Sequence, residues 1–242
     1  MAAKLYGIGV GAGDPKLLTL KALETLKKVD YIFTPVSAAS TTKSNALKII
    51  DSLAKDALLQ PENKIIELNF DMAKDQKELA ESRLKAAEKI NEKLTEDKEA
   101  AFITLGDPFL YSTYTYIMKK IKSWQPRVKI ITIPGISSIA ACTSAQNLPL
   151  AEGKENIAIV SNLADEAQLE KIFSLFDTVV ILKLSRNFAK VYPVLEKLDL
   201  KDKVLIGSRC GLEDEKYTKD IEELKDEEID YLTLMIVKRK GI

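Results

Sequence analysis

Short apolar runs alternate along this chain with longer stretches of helical period. Lys4–Val10 is the first run, and Gly11–Pro15 breaks it. Leu17, Leu18, Leu20, Leu23 and Leu26 follow at helical spacing, and Asp14 precedes Pro15 as a cap precedes a first-turn proline. The opening thus reads strand, glycine loop, helix. Tyr31–Phe33 predicts a second strand, ended by Thr34 and Pro35. A polar Ser/Thr-rich loop over Ser37–Ser44 leads to a helix over Asn45–Leu58 and a third strand over Lys64–Leu68. Asp75–Leu94 is a charged amphipathic helix whose stripe is Leu79, Ala80, Leu84, Ala87, Ile90 and Leu94. Ala100–Thr104 and Val128–Ile133 predict the next strands, with a helix over Ser112–Ser123 between them.

The second half alternates less cleanly. Ile157–Val160, Thr178–Leu184, Val204–Gly207 and Tyr231–Val237 read as strands, and Glu166–Ser174 and Phe188–Leu198 as helices. Gly211–Glu228 is dense in charge and predicts loop with short structure. Near-continuous apolar strands joined by helical crossovers indicate a parallel sheet covered on both faces. The last strand follows without a clear long helix, so the second sheet is expected to be mixed. The fold class is α/β with two domains, residues 1–133 and 134–242, a division that 242 residues allow.

Composition narrows the chemistry. The chain has no histidine, which removes Ser-His-Asp and Cys-His catalysis. Its two cysteines, Cys142 and Cys210, form no CxxC pair, so structural zinc and iron–sulfur clusters lack ligands and no metal site is expected. They read as free thiols in a reducing compartment, with Cys142 a small buried residue. Lys+Arg and Asp+Glu both number 36, a balance that argues against a nucleic-acid binder but allows a local basic cleft. No apolar run is long enough to span a membrane, and the start lacks a signal peptide's pattern, so the expected setting is cytoplasmic.

The candidate chemistry lies at strand ends. The first loop runs Gly7-x-Gly9-x-Gly11-x-Gly13-Asp14-Pro15. As a dinucleotide fingerprint it fits poorly, because counting from Gly9 places Asp14 where a pyrophosphate would lie, and no acid ends the second strand. The glycines fit a ligand loop or close strand–helix packing equally well. Gly106-Asp107-Pro108 and Pro134-Gly135-Ile136-Ser137-Ser138 form turns beyond the next strands, at the edge where open α/β sheets bind ligands. Lys183, Arg186 and Arg209 fall at strand ends of the second half and mark a place for an anionic ligand.

Taken in order, these segments resemble the tetrapyrrole methylases that use S-adenosylmethionine. The opening motif runs from Gly7 to Ala22, the second is Gly106-Asp107-Pro108-x-x-Tyr111-Ser112-Thr113, and the third is Pro134–Ser138. Within the family the pattern is most similar to members that methylate carbon-20 of precorrin-2 or cobalt-factor II. The carrying features are Tyr111–Tyr114, Ile133–Gly153, the Lys183–Arg186 segment and the Pro35 loop. Ala12 departs from the family, which often has proline there.

The resemblance implies a parallel-sheet domain, a mixed-sheet domain, an active-site trough between them and a homodimer. It implies S-adenosylmethionine as the methyl donor, converted to S-adenosylhomocysteine, and a tetrapyrrole as the acceptor. Cofactor contacts would fall on Leu105, Gly106, Asp107, Leu110, Ser137 and Ser138, with Lys183 and Cys210 from the second domain. Arg186 and Arg209 would meet substrate carboxylates, and Asp14, Tyr111 or water would accept the departing proton. Transfer from a sulfonium needs little acid–base help, which agrees with the absent histidine. The competing readings are a non-catalytic ligand-binding module, a dinucleotide oxidoreductase, and a family member acting on a protein or RNA.

Overall fold

The computed structural model describes residues 2–37, 44–61, 64–70 and 76–242, with the side chains of Ser37 and Gln76 left aside. Most of the expected Ser/Thr-rich loop, and Asp75, lie outside them. Residues 1–137 and 138–242 form separate compact units.

In the first unit the elements run β1 (Lys4–Gly9), α1 (Leu20–Lys28), β2 (Tyr31–Ser37), α2 (Asn45–Lys55), β3 (Ile65–Phe70), α3 (Gln76–Lys93), β4 (Glu99–Thr104), α4 (Tyr114–Trp124) and β5 (Lys129–Ile133). The strands form a parallel sheet in the order β3-β2-β4-β1-β5. Its two faces are buried by different helices. Leu5, Phe33 and Phe102 pack under α3 and α4, with Ala87, Ile90, Tyr114 and Ile117. Ile8, Ile32 and Ile103 pack under α1 and α2, with Leu26, Leu47 and Ile50. This two-sided burial explains why the strands read as continuous apolar runs.

Two boundaries differ from expectation. Asp14 caps a single 3-10 turn, Pro15–Leu17, rather than the helix; Leu18 is extended again, and Thr19 caps α1 by accepting from the Ala22 N–H at 3.2 Å. Strand β2 does not stop at Pro35. β4 pairs only with Tyr31–Phe33, so beyond Thr34 the strand has a neighbour, β3, on one side alone. A proline is tolerated where one edge needs no donor.

The second unit contains α5 (Ser138–Ala145), β6 (Ile157–Val160), α6 (Glu166–Leu175), β7 (Thr178–Ile181), α7 (Leu184–Lys197), β8 (Val204–Ser208), β9 (Lys216–Thr218) and β10 (Thr233–Lys238). Its sheet is mixed, in the order β6-β7-β10-β8-β9. β6 and β7 are parallel, while β10 runs antiparallel to both β7 and β8. The segment expected to continue β7 through Leu184 instead starts α7 there, four residues before the expected helix start. Leu184 is fully buried in the core of this unit, so its apolar character serves a helix rather than a strand.

At the amino edge of the first sheet, charge ties strand starts together. Lys4 of β1 pairs with Glu99 of β4, whose second oxygen accepts from the Tyr6 hydroxyl at 3.0 Å. Asp30 accepts from the Glu99 N–H and from Lys98, both at 2.9 Å. Its carboxyl is held below the ordinary range by the Glu99 N–H first and by Lys98 second. Glu99 is lowered mainly by the bond from Lys4. Both groups prefer the ionised form in the folded state, so their contribution is complete above the usual carboxylate pKa and is lost as pH falls through the lower folded values. Denaturant melts should therefore show stability flat from neutral pH to about pH 5 and declining below about pH 4. Asp30→Asn should flatten part of that decline; a parallel decline in the variant would remove Asp30 from the account.

Candidate active site

The crossover after β1 leads to the α1 layer, and that after β4 to the α4 layer on the opposite face. Loops that diverge from neighbouring strands open a crevice at the carboxyl edge of a parallel sheet. All the first-unit candidates stand on this edge: Asp14 after β1, Leu105 to Tyr111 after β4, and Ser137 after β5.

The edge is built on glycine because backbones meet there. The Gly106 N–H donates to the Gly11 carbonyl at 2.7 Å, joining the first loop to the second. A Cβ on Gly9 would stand 2.5 Å from the Gly106 oxygen and 2.6 Å from the Gly135 nitrogen. On Gly135 it would stand 2.2 Å from the same oxygen. Gly106 itself is left-handed at φ +69, and the side a Cβ would occupy meets only the Ser137 Cα, at 3.8 Å. The glycines thus set loop against loop and leave one flank of Gly106 approachable.

Asp107 fastens this arrangement. Its Oδ1 accepts from the Phe109 N–H at 2.8 Å and its Oδ2 from the Gly135 N–H at 3.2 Å. The carboxylate therefore spans from its own turn to the loop after β5. Further along, the Ser112 hydroxyl lies 3.0 Å from that of Thr104 and accepts from the Tyr114 N–H at 3.2 Å. The ring of Tyr114 covers Gly7, where a Cβ would meet it at 2.0 Å, and its hydroxyl lies 3.0 Å from Thr132. Leu105 packs on the α1–α2 core, and the Leu110 N–H donates to the Asp107 carbonyl at 3.4 Å. Asp14 Oδ1 accepts from the Lys16 N–H at 2.8 Å.

Backbone strain marks the same edges. Ala57, Asn147 and Asp199 have positive φ just beyond the ends of α2, α5 and α7, an ordinary way to end a helix, and Asp97 lies in the turn before β4. The remaining non-glycine residues with positive φ are Tyr111, Lys183 and Arg209, each at +54 in the segment after β4, β7 or β8. Such conformations cost of order 1–3 kcal/mol and gather at functional sites. Tyr111 is also 51% exposed on its strained loop.

In the second unit, Ser138 opens α5, Lys183 precedes α7, Arg186 lies in the first turn of α7, and Arg209 and Cys210 follow β8. The structure separates the cations. The Arg209 guanidinium is held by Asp214 at 2.8 Å and Asp230 at 3.5 Å. Arg186 and Lys183 instead share the ring of Tyr231, at 5.2 Å and 5.7 Å from its centroid. Tyr231 was not among the expected site residues, because the apolar run containing it reads as strand; β10 begins only at Thr233. Since β10 is antiparallel to β7 and β8, its approach lies where those strands end, and the Arg209 N–H donates to the Leu232 carbonyl at 3.2 Å.

Cys210 also has an unforeseen neighbour. A Cβ on Gly207 would meet the Cys210 sulfur at 2.5 Å and the Cys142 sulfur at 2.7 Å, so both thiols crowd one glycine of β8. Cys210 is made more acidic by its hydrogen bond with Cys142 and next by Tyr217, against the penalty of burial. Cys142 is pushed up by the same contact and by burial. No local signal joins the two cysteines in sequence.

The chain matches the family described as tetrapyrrole (corrin/porphyrin) methylases over residues 4–225. It is 43% identical to the probable cobalt-precorrin-2 C(20)-methyltransferase of Methanocaldococcus jannaschii, over 99% of this chain and 97% of that protein. It is 26% identical to the cobalt-precorrin-2 C(20)-methyltransferase of Salmonella typhimurium, over 99% and 98%. Among solved structures, a cobalt precorrin-4 methyltransferase aligns with a TM-score of 0.71 at 20% identity, covering 97% of this chain and 94% of that one. The uroporphyrin-III C-methyl transferase of Thermus thermophilus, solved with S-adenyl homocysteine, aligns at 0.65 and 20% identity, covering 98% and 97%. These likenesses confirm the two-sheet α/β architecture, and the match across nearly the whole length places the chain in the tetrapyrrole (corrin/porphyrin) methylases.

Proposed function

We propose that this chain methylates carbon-20 of precorrin-2 in its cobalt-bearing form, using S-adenosylmethionine, in cobalamin biosynthesis. The observation that carries this reading is the 43% identity, end to end, with a relative bearing that name. The cofactor, when bound, supplies a methyl group activated by positive sulfur.

The side of Gly106 that a Cβ would occupy meets only the Ser137 Cα beyond its chain neighbours, so a ligand can lie against it there. Leu105, Gly106, Asp107, Leu110 and Ser137 would hold it from the first unit, with Ser138, Lys183 and Cys210 as candidates from the second. The chain's task is to keep donor and acceptor aligned, and good orientation alone contributes on the order of 7–11 kcal/mol. A proton leaves carbon-20 after transfer. Asp14, Tyr111, which is exposed on its strained loop, or water would receive or relay it. The same reading carries a homodimer and a cytoplasmic setting. Among the described residues no helix is long and apolar enough to cross a membrane.

Incubation with S-adenosylmethionine and either metal-free or cobalt-bearing precorrin-2, followed by mass spectrometry and carbon-13 labelling of the donor methyl, tests the reading. One methyl gained at carbon-20, faster on the cobalt form, is the expected result. An unchanged mass, or label at another carbon, would overturn it.

A further inference from the structure

We propose that Tyr231 is a positioning residue whose ring presents Arg186 to a peripheral carboxylate of the tetrapyrrole. The proposal rests on the methylase reading above and names the group that organises substrate binding within the second unit.

Three observations carry it. The first is the shared ring: the Arg186 guanidinium carbon lies 5.2 Å and the Lys183 Nζ 5.7 Å from the Tyr231 centroid, both within cation–π range. A guanidinium held over a ring keeps its N–H fork free at its edge, the geometry a carboxylate accepts in two bonds. The second is the contrast with Arg209, whose guanidinium is already satisfied by Asp214 and Asp230. Arg186 is exposed and has no carboxylate partner among the described residues. The third is position. Lys183 is left-handed between β7 and α7, which turns the chain at the carboxyl end of β7, and antiparallel β10 brings Tyr231 to that end. The fold thus assembles the cluster from two segments far apart in sequence, at the edge that also carries Arg209 and Cys210.

Tyr231 touches no reacting atom in this account. It acts through Arg186, so its loss should weaken substrate capture and leave chemistry and cofactor binding alone. The variants are Tyr231→Leu, Tyr231→Phe, Arg186→Ala and the double variant Arg186→Ala with Tyr231→Leu. Steady-state methylation gives kcat and KM, and calorimetry gives S-adenosylmethionine affinity. A fluorescence titration with uroporphyrin, a polycarboxylate tetrapyrrole, reads binding without turnover. Tyr231→Leu should raise KM for the tetrapyrrole about three- to tenfold with kcat and cofactor affinity unchanged, the size expected for releasing a stacked cation that meets an anion. Tyr231→Phe, which keeps the ring, should restore KM. The double variant should be no worse than Arg186→Ala alone, because both changes remove one unit. An unchanged KM in Tyr231→Leu, a failure of Phe to restore it, or additive losses in the double variant would overturn the proposal. If the wild type methylates neither precursor, the reaction assignment fails, and uroporphyrin binding judges Tyr231 separately: an equal loss in Tyr231→Leu upholds the platform, and equal binding removes it.

Discussion

Gly135→Ala should be severely damaging. The added Cβ would stand 2.2 Å from the Gly106 carbonyl oxygen and 2.8 Å from the Gly9 Cα, distances at which something must move. Its neighbours are backbone on two strand-end loops, and no flexible side chain is available to swing aside. Overpacking against side chains usually costs 1–3 kcal/mol; against fixed backbone about 3 kcal/mol or more is expected. The displaced loop is the one carrying Gly106 and Asp107, so S-adenosylmethionine affinity should fall with stability. Gly153→Ala supplies the control. Gly153 is left-handed at φ +57 with nothing within 4 Å of the Cβ position, so its alanine bears conformational strain of roughly 1–2 kcal/mol and no clash. Denaturant melts of the two variants separate space from backbone angle. Equal destabilisation would mean that close approach is not what requires glycine at position 135.

The alternation of strands and helices is legible because the first sheet is covered on both faces, so its strands are mostly apolar, with β3 at the edge carrying Glu67 and Asn69 at exposed positions. The strand ends were legible for the same reason, and with them the positions of Gly106, Asp107 and Ser137 just beyond β4 and β5. What escaped is what depends on a neighbour. Pro35 reads as a stop, yet β2 continues because β4 no longer pairs beside it beyond Phe33. Leu182 and Leu184 look like one strand's continuation, but Lys183 turns left-handed between them and Leu184 goes into the helix core. β9 lies in a charge-dense segment; as an edge strand of a few residues against β8 it needs no apolar pattern. Tyr231 reads as strand residue because its hydrophobic company is β10, and its two cations come from another part of the chain. Cys142 and Cys210 meet only because Gly207 leaves room for both sulfurs. Arg209 has the strand-end position of a ligand contact, and nothing local announces that Asp214 and Asp230 already hold it.

Asp107→Ala should lose stability and cofactor affinity together, and the coupling identifies what the carboxylate does. Both oxygens already accept backbone N–H groups, one in its own turn and one from Gly135 across the loops. A hydrogen bond to a charged group contributes about 1.5–3 kcal/mol, and partial exposure of Asp107 places the combined loss near the lower end, about 2 kcal/mol. Removing the acceptor frees the Gly135 loop from the Gly106 turn, which opens the spacing that holds the approachable flank. Asp107→Asn distinguishes clamp from contact. Its single acceptor oxygen can keep one N–H, but its NH₂ then faces the other donor, so asparagine should recover only part of the stability. If Asp107 acts chiefly by clamping, affinity across the wild type, Asn and Ala variants should track the melting midpoint. If it acts chiefly by meeting the ligand's charged amino group, affinity should drop fully in Asn while stability drops little. Calorimetry and thermal melts on the same preparations decide between these, and loss of affinity at undiminished stability would defeat the clamp.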